Sequence, residues 1–593
     1  MHVSRIKALF FAIRQLYGGY KWQLAILIFL GFVSGFLEAV GIGALIPIFS
    51  FVVNKGEVGT DFISQTVFKF FSYFDISLSV HSLLGLAVSL FVIKAFLTLI
   101  FNYLDVKIIS DYEKNMKEKI YKNALSASWP YLLTQRVGHL DRILFGHVSF
   151  VGRLFQQIAN NILGFTSFLM YAVVAFKLSP NIAFLTMGIG LFLIVVFKPL
   201  FVFTKVFADK RKKAEEEIGH HINENIVGIK TVKATGVEKK VLEKADIFFG
   251  KLRDMRVKLS LYKAFGSSFV QPIGLMFIAI MFVIFFKKPD FNFPVFIAVM
   301  YLIQRIFQYV EKIQGSLYVV SEAVPYVTNL IHFEDELAVH KERSDGEEKF
   351  VFERELEARE LCFEYLSETP VLKGVNFKIK KGEMVGVIGP SGAGKTTLVD
   401  ILLRLFKPTK GGILIDGKSI GNVSLTDWRR NVGYVSQDIF LKNDTVYSNI
   451  IFYDENIAKE DVDRAAKLAN IYDFIKSLPQ GFNTMVGERG VLLSAGQRQR
   501  IVFARALARR PKILILDEAT SALDNESEKS IKQSIDSLKG ELTVIVIAHR
   551  LSTIMSADKL IAIEYGKVIE EGAPQELLKD KSSYFYRVYD IVE

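Results

Sequence analysis

The sequence predicts two parts in series: an all-α membrane half of six helices, then a soluble α/β domain. Three observations lead there. Roughly the first 315 residues hold six apolar segments, each reaching the ~20 residues needed to cross a ~30 Å hydrocarbon core. The remaining residues alternate charged and apolar, as in a globular α/β domain. Within them, Met384-Val385-Gly386-Val387-Ile388 and Ile513-Leu514-Ile515-Leu516 are continuous apolar runs of the kind that form buried parallel strands.

In chain order the apolar segments have approximate edges Trp22–Phe51, Ser82–Leu104, Leu154–Leu178, Ile182–Phe207, Phe265–Phe286 and Phe291–Lys312. They must be helical, because lipid offers no partner to an exposed backbone group. Thirteen Lys or Arg residues fall between Lys210 and Lys258, and seven more between Lys107 and Arg142. Ser179-Pro180-Asn181 and Lys287-Lys288-Pro289-Asp290 read instead as tight outer turns. The basic loops and both termini are therefore expected in the cytoplasm. That charge pattern accounts for the net +11 and disfavours a nucleic-acid partner. A single cysteine, Cys362, excludes an intrachain disulfide. Leu9-Phe10-Phe11-Ala12-Ile13 is too short for a signal-peptide core, so no cleavage is expected.

Both long inner loops carry helical patterns and read as cytoplasmic extensions of the spans. Each has a break, near Trp129-Pro130-Tyr131 and near Gly228–Lys233, suited either to a short transverse helix touching a partner or to a plain surface turn. In the outer segment Asp61–Phe74, residues Ile63, Val67, Phe70, Phe71 and Phe74 form one helical stripe. The segment is too short to span. It lies at the outer membrane surface or packs on the tops of the spans. Charged residues at 334–348 mark a linker between a membrane domain, residues 1–333, and a soluble domain, residues 349–593.

Ionisable residues inside spans are costly and so are candidates for function. Arg305 lies 14 residues into the sixth span, ~21 Å along a helix, in a polar stripe of Tyr301, Arg305, Gln308, Tyr309 and Lys312. With no carboxylate read on its own span, it is the candidate contact for an anionic headgroup. Lys94, 12 residues into the second span, is a second substrate candidate, or else neutralises Glu38 of the first span.

The soluble half holds Gly389-Pro390-Ser391-Gly392-Ala393-Gly394-Lys395-Thr396-Thr397, between an apolar strand and a helix. This is the G-x-x-x-x-G-K-[ST] spacing in its strand–loop–helix context. Its glycines let backbone N–H groups cradle phosphates at the positive end of the helix. Lys395 reaches the β- and γ-phosphates of ATP, and the Thr396 hydroxyl ligates Mg²⁺. The run ending at Leu516 delivers Asp517 to the Mg²⁺ shell and Glu518 as general base toward an attacking water. A second run, Thr543–Ala548, brings His549 to the same edge. Leu493-Ser494-Ala495-Gly496-Gln497 starts a basic helix and reads as a second phosphate site.

This set resembles the nucleotide-binding domain of ATP-binding-cassette (ABC) transporters. The matching residues are the phosphate loop, Gln437 in Val435-Ser436-Gln437-Asp438, the signature Leu493–Gln497, Asp517-Glu518, Ser521-Ala522-Leu523-Asp524 and His549. Val486-Gly487-Glu488-Arg489-Gly490 resembles a sequence that precedes the signature in exporters. Residues 355–590 carry the resemblance, and the six preceding spans extend it to an exporter-type half-transporter. It implies that Tyr365 stacks on adenine, that Gln437 serves the metal and catalysis, and that His549 acts in catalysis. It also implies that Ser494, Gly496, Gln497 and Asp524 contact nucleotide. In the family, ATP is sandwiched between one cassette's phosphate loop and the other's signature. A second half-transporter, an identical chain, is thus the expected partner. Ala495 departs from the usual glycine.

The expected function is ATP-driven export or flipping across the cytoplasmic (inner) membrane, with the nucleotide-binding domain in the cytoplasm. A soluble cassette protein is excluded by the spans. An ATP-gated channel or regulatory receptor is the alternative of another class, and Glu518 argues against it. Import is disfavoured by the fused domain order. Leu37-Glu38-Ala39-Val40-Gly41-Ile42-Gly43-Ala44-Leu45-Ile46-Pro47 resembles bacterial lipid-linked oligosaccharide flippases, which also carry an outer amphipathic helix and cavity cations. This points to an amphipathic, lipid-linked substrate. A peptide or drug exporter and a flippase of another glycolipid are the alternatives, and no amino-terminal peptidase domain is read to favour the former.

Overall fold

The computed structural model describes residues 18–44, 47–48, 62–77, 79–136, 138–286, 293–343, 346–365, 369–518, 525–547 and 550–589. The chain divides into two compact units, one of residues 1–127 and 131–341 and the other of residues 342–593 with the short stretch 128–130.

The first unit is built, among the described residues, of helices joined by short turns. Among the described residues, five helices are long and apolar enough to cross a membrane: Gly18–Gly41, Val80–Leu125, His139–Lys177, Pro180–Val227 and Glu238–Ile284. The sixth expected span opens the helix Phe293–Val339. At ~1.5 Å per residue, the 46-residue helix Val80–Leu125 is far longer than a bilayer core. Its C-terminal half, like that of Lys198–Val227, is the charged inner loop predicted to be helical. Helix Phe293–Val339 also absorbs the start of the charged linker stretch, which is helical as far as Val339.

Breaks fall where the backbone requires them. The fourth span stops at Val196 and restarts at Lys198, with Pro199 in the first turn of the new helix. Proline has no N–H for the ladder and its ring crowds the preceding turn, so one continuous span becomes two helices. Gly228 and left-handed Gly236 isolate the short helix Ile229–Thr235 in the second inner loop, and Trp129–Thr134 is its counterpart in the first.

Gly31 and Gly35 on the first-span helix face the third. A Cβ on Gly35 would lie 3.0 Å from the Ser167 backbone, and one on Gly31 would lie 3.3 Å from Thr166 Oγ1. Small residues four apart let two membrane helices approach closely, where packing rather than the hydrophobic effect holds them. Gly35→Leu is expected to overpack this seam and cost about 1–3 kcal/mol. A lower melting temperature of the detergent-extracted full chain would register it; an unchanged one would show that the helices do not meet there.

Outside the spans, Phe62–Tyr73 is a helix as its periodicity predicts. Ser64 and Phe71 are buried, whereas Phe68, Phe70, Tyr73 and Phe74 are exposed. One seam of the helix is buried and aromatic rings cover another side. The Ile63 side chain lies outside the described residues.

The second unit is built on a six-stranded sheet of order β10-β9-β3-β8-β7-β6. Its strands are β3 Met384–Ile388, β6 Val432–Val435, β7 Ile513–Asp517, β8 Thr543–Ile547, β9 Lys559–Glu564 and β10 Lys567–Gly572. All pairs are parallel except β9–β10. Strands β3, β7 and β8 are wholly buried because both faces are covered. Met384, Leu514, Leu516, Val544 and Val546 enter one core; Val385, Val387, Ile513, Ile515, Ile545 and Ile547 enter the other. That is the period-2 alternation of a strand read across two layers. A four-stranded antiparallel sheet, β2-β1-β4-β5, adjoins it, with β1 Glu355–Glu364, β2 Pro370–Lys380, β4 Lys410–Ile415 and β5 Lys418–Ser419. Because β3, β6, β7 and β8 run parallel, the segments leaving their carboxyl ends emerge along one edge.

Candidate functional site

The loop after β3 has the backbone that its glycines allow. Gly389 and Gly394 have φ of +148° and +102°. A Cβ on Gly389 would sit 2.0 Å from the Ile563 carbonyl, and one on Gly394 would sit 2.7 Å from Leu372. Neither conformation nor space admits a side chain. Helix Lys395–Leu402 follows directly. The Lys395 ammonium is buried and donates to the carbonyls of Gly389 and Pro390 at 2.8 and 3.0 Å, so it lies over the loop. Burial lowers its pKa, while Glu518 and Asp517 oppose the shift.

Among the loop residues, Thr396 is exposed and Thr397 is buried. The Thr397 hydroxyl lies 3.0 Å from the Tyr365 hydroxyl. Tyr365 is 51% exposed and stands edge-on to Phe363 and Phe406. Thr397 thus anchors the aromatic assigned to adenine, a role its place in the motif did not signal.

β7 ends in Asp517 and Glu518. Asp517 is buried, and its Oδ1 has no hydrogen-bond partner among the described residues. Burial, with Glu518 and Asp400 adding and Lys395 opposing, raises its pKa to about 6. A desolvated carboxylate oxygen without a proton donor, facing a phosphate loop, suits a cation. Glu518 takes a left-handed φ of +49°, and its N–H donates to the Ile547 carbonyl on β8 at 3.0 Å. Gln437, two residues past β6, donates from Nε2 to Glu518 Oε2 at 2.7 Å. Sequence reading missed Asp400, whose pKa burial raises to about 6; its signal was a carboxylate inside the apolar helix run Leu398–Leu402. His549 and Asp524 lie outside the described residues, as do Ser521, Ala522 and Leu523.

The second expected phosphate site is a helix start. Ser494 N-caps Ala495–Ala508, accepting from the Gln497 N–H at 3.2 Å, while its own N–H donates to Gln497 Oε1 at 2.9 Å. This reciprocal box engages the Gln497 side chain and leaves Ser494 exposed, with a hydroxyl proton to donate. Gly496 is buried beneath it.

In the helical unit, Lys94 Nζ lies 2.9 Å from Glu38 Oε1, and the Tyr309 hydroxyl donates to Glu38 Oε2 at 3.3 Å. Glu38 is only 5% exposed. Of the two expectations for Lys94, the mutual neutralisation is the contact present. Arg305 donates to the Tyr301 hydroxyl at 2.8 Å and to Gln308 Oε1 at 3.1 Å. No carboxylate lies within 4 Å of Arg305 among the described residues. The expectation that its helix carries no carboxylate needs correction. Glu311 stands six residues on, about 120° round the helix, and accepts from Gln271 at 2.9 Å.

Family models match both units: the ABC transporter transmembrane region at residues 24–310 and the ABC transporter family at residues 372–521. The chain is 35% identical to an ATP-dependent lipid A-core flippase of Saccharophagus degradans over 397 residues, 66% of this chain and 67% of that protein. It is 31% identical to the heterocyst differentiation ATP-binding protein HepA of Nostoc sp. over 494 residues, 81% of this chain and 80% of that one. The structure of a bacterial Atm1-family ABC exporter with ATP bound shares the fold, with a TM-score of 0.81, 23% identity, and coverage of 98% of this chain and 99% of that one. With one family model on the phosphate-loop domain and another on the membrane-spanning helices, the chain belongs to the ABC transporter family, as a half-transporter that hydrolyses ATP to drive export.

Proposed function

We propose that this half-transporter pairs with an identical chain in the cytoplasmic membrane and flips an amphipathic, lipid-linked molecule with an anionic headgroup. Three similar proteins are named ATP-dependent lipid A-core flippases, which supports a lipid-linked substrate. The observation that carries the anionic headgroup is Arg305. It is a half-buried guanidinium on the sixth-span helix, ringed by a phenol and an amide, with its neighbouring charges Glu38 and Lys94 already paired. A cation inside a span whose direct partners are neutral groups is stabilised when a substrate anion answers it. A planar donor fork also matches a phosphate in two bonds at once.

The chemistry of the second unit follows from the sheet edge. Lys395 and the loop amides hold the phosphates of ATP, and Tyr365 takes the adenine. Thr396, Asp517 and Gln437 would hold Mg²⁺, which neutralises charge on the β- and γ-phosphates. Glu518 accepts the proton of the attacking water, and the Gln437 amide keeps its carboxylate aimed. Ser494 of each chain donates to the nucleotide held by the partner's loop. The exposed rings Phe70 and Phe74 provide an outer surface for an acyl chain.

Arg305→Ala is expected to lose substrate-stimulated ATPase and transport while keeping basal hydrolysis and membrane insertion. Reconstituted vesicles with a fluorescent pyrophosphate-linked glycolipid would measure this. Undiminished flipping of that lipid by the variant would remove Arg305 from the substrate path.

A further inference from the structure

Helix Ala495–Ala508, which begins at the signature, carries Arg505 ten residues beyond its first residue, ~15 Å along the axis. Its guanidinium reaches out of the helix in three directions. Nε donates to the Asn449 carbonyl at 2.8 Å, one terminal nitrogen to the Phe440 carbonyl at 2.9 Å, and the other to Asn449 Oδ1 at 3.3 Å. Asn449 is fully buried and holds the same stretch of chain from the other side. Its Oδ1 accepts from the Lys442 N–H at 2.9 Å, and its Nδ2 donates to the carbonyls of Lys442 and Thr445, both at 3.0 Å. Within the segment Phe440–Thr445, Asp444 and Thr445 are tied to the Met485–Val486 backbone and Leu441 is buried in the core, while the carbonyls of Phe440, Lys442 and Thr445 and the Lys442 N–H are held by the side chains of Arg505 and Asn449. Three residues before the start of this segment stands Gln437, which touches Glu518.

Ordinary packing does not call for a cation here. Burial lowers the Arg505 pKa to about 10, with Arg509 pushing the same way. Among the described residues no carboxylate pairs with Arg505; carbonyl dipoles and the Phe452 ring, 4.3 Å away, face its charge instead. Phe452 itself has a left-handed φ of +41°. A planar fork serves acceptors on two separated segments, which the compact ammonium of lysine cannot reproduce.

We infer that Arg505 is a positioning residue through which the signature helix sets the Gln437–Glu518 contact, and so links the two ATP sites of a dimer. The link rests on the proposed pairing of chains, in which one chain's signature serves its partner's nucleotide while its Gln437 serves its own. A shift of the signature helix as it engages one nucleotide is then passed, through Phe440, to the group that aims the base at the other. Within a single chain, the inference reduces to Arg505 fixing Gln437.

The test uses the full-length chain in lipid nanodiscs, with Arg505→Lys and Arg505→Met, which keep the stem that fills the helix flank. Steady-state hydrolysis is measured against ATP concentration, with melting temperature and fluorescent-nucleotide binding alongside. Both variants are expected to lose about 10²-fold in kcat, as misplaced catalytic groups do, with KM within about threefold of the parent. The cooperativity of the parent in ATP is expected to fall to a Hill coefficient of about 1. Wild-type kcat and cooperativity in Arg505→Lys would overturn the inference. Parallel losses of nucleotide binding and melting temperature in both variants would also overturn it, by making Arg505 a fold-stabilising residue only. A drop in kcat with cooperativity retained would uphold the positioning of Gln437 and overturn the link between sites. A parent chain that is monomeric and non-cooperative would refute the pairing itself, and the kcat of the variants would still decide the positioning.

Discussion

Glu518→Gln is expected to lower steady-state ATP hydrolysis by ~10²–10⁴-fold while leaving ATP bound, trapping the closed dimer. The loss corresponds to about 3–5 kcal/mol of transition-state stabilisation. The glutamine side chain has the shape of glutamate, and the backbone at 518 is held by its N–H bond to the Ile547 carbonyl, so the site should keep its form. A rotated amide can still offer its oxygen to Gln437, which now donates to Glu518 Oε2 at 2.7 Å. What it cannot do is take a proton from water. Nucleotide retained through gel filtration, combined with phosphate release near background, is the expected pair of readings. Near-normal turnover would remove Glu518 from its assigned role.

Ser494→Arg is expected to abolish hydrolysis without preventing ATP from reaching the phosphate loop of the same chain. Two effects of the substitution differ in size. Losing the N-cap costs about 0.5–2 kcal/mol, which a folded domain tolerates. A long cation at an exposed helix start, in contrast, occupies the space where the opposite chain's phosphates would approach Ser494. In a mixed dimer with one variant chain, one sandwich should remain intact and about half of the catalytic sites should survive. Fluorescent-nucleotide binding by the full-length variant, measured with its ATPase rate, tests this directly. Loss of nucleotide binding together with hydrolysis would show that Ser494 serves its own chain's loop, and the sandwich across two chains would be wrong.

How much of this was legible beforehand depends on the range of each interaction. The phosphate loop was readable because its constraints are local: Gly389 and Gly394 occupy backbone conformations that few other residues adopt, and the motif states their spacing. Span helices were readable because lipid forces every apolar run of sufficient length into a helix. The edge that gathers Gln437, Asp517 and Glu518 followed once the strands were parallel, since their carboxyl ends must then share a side.

Contacts across large separations were not readable in the same way. Periodicity says which residues share a face of one element, but packing decides which element that face meets. Glu38 and Lys94 are 56 residues apart, and only the crossing of two helices selects their ion pair over a cavity-facing Lys94. The outer helix was one apolar stripe in sequence, yet its rotation buries Phe71 and turns Phe70 and Phe74 outward. Glu311 escaped notice as a polar contact of the sixth span until Gln271 of the neighbouring helix met it. Thr397 read as a phosphate-loop residue, and its inward rotamer instead ties down Tyr365. Arg505 looked like one basic residue among several on a helix, and the tertiary fold set Phe440 and Asn449 against its guanidinium. The sequence by itself determined the backbone chemistry, the element types and the catalytic edge, because those follow from covalent geometry, solvent and strand direction. Tertiary packing decided which charges are neutralised and which side chains position others, because helix rotation and crossing depend on the whole set of buried surfaces at once.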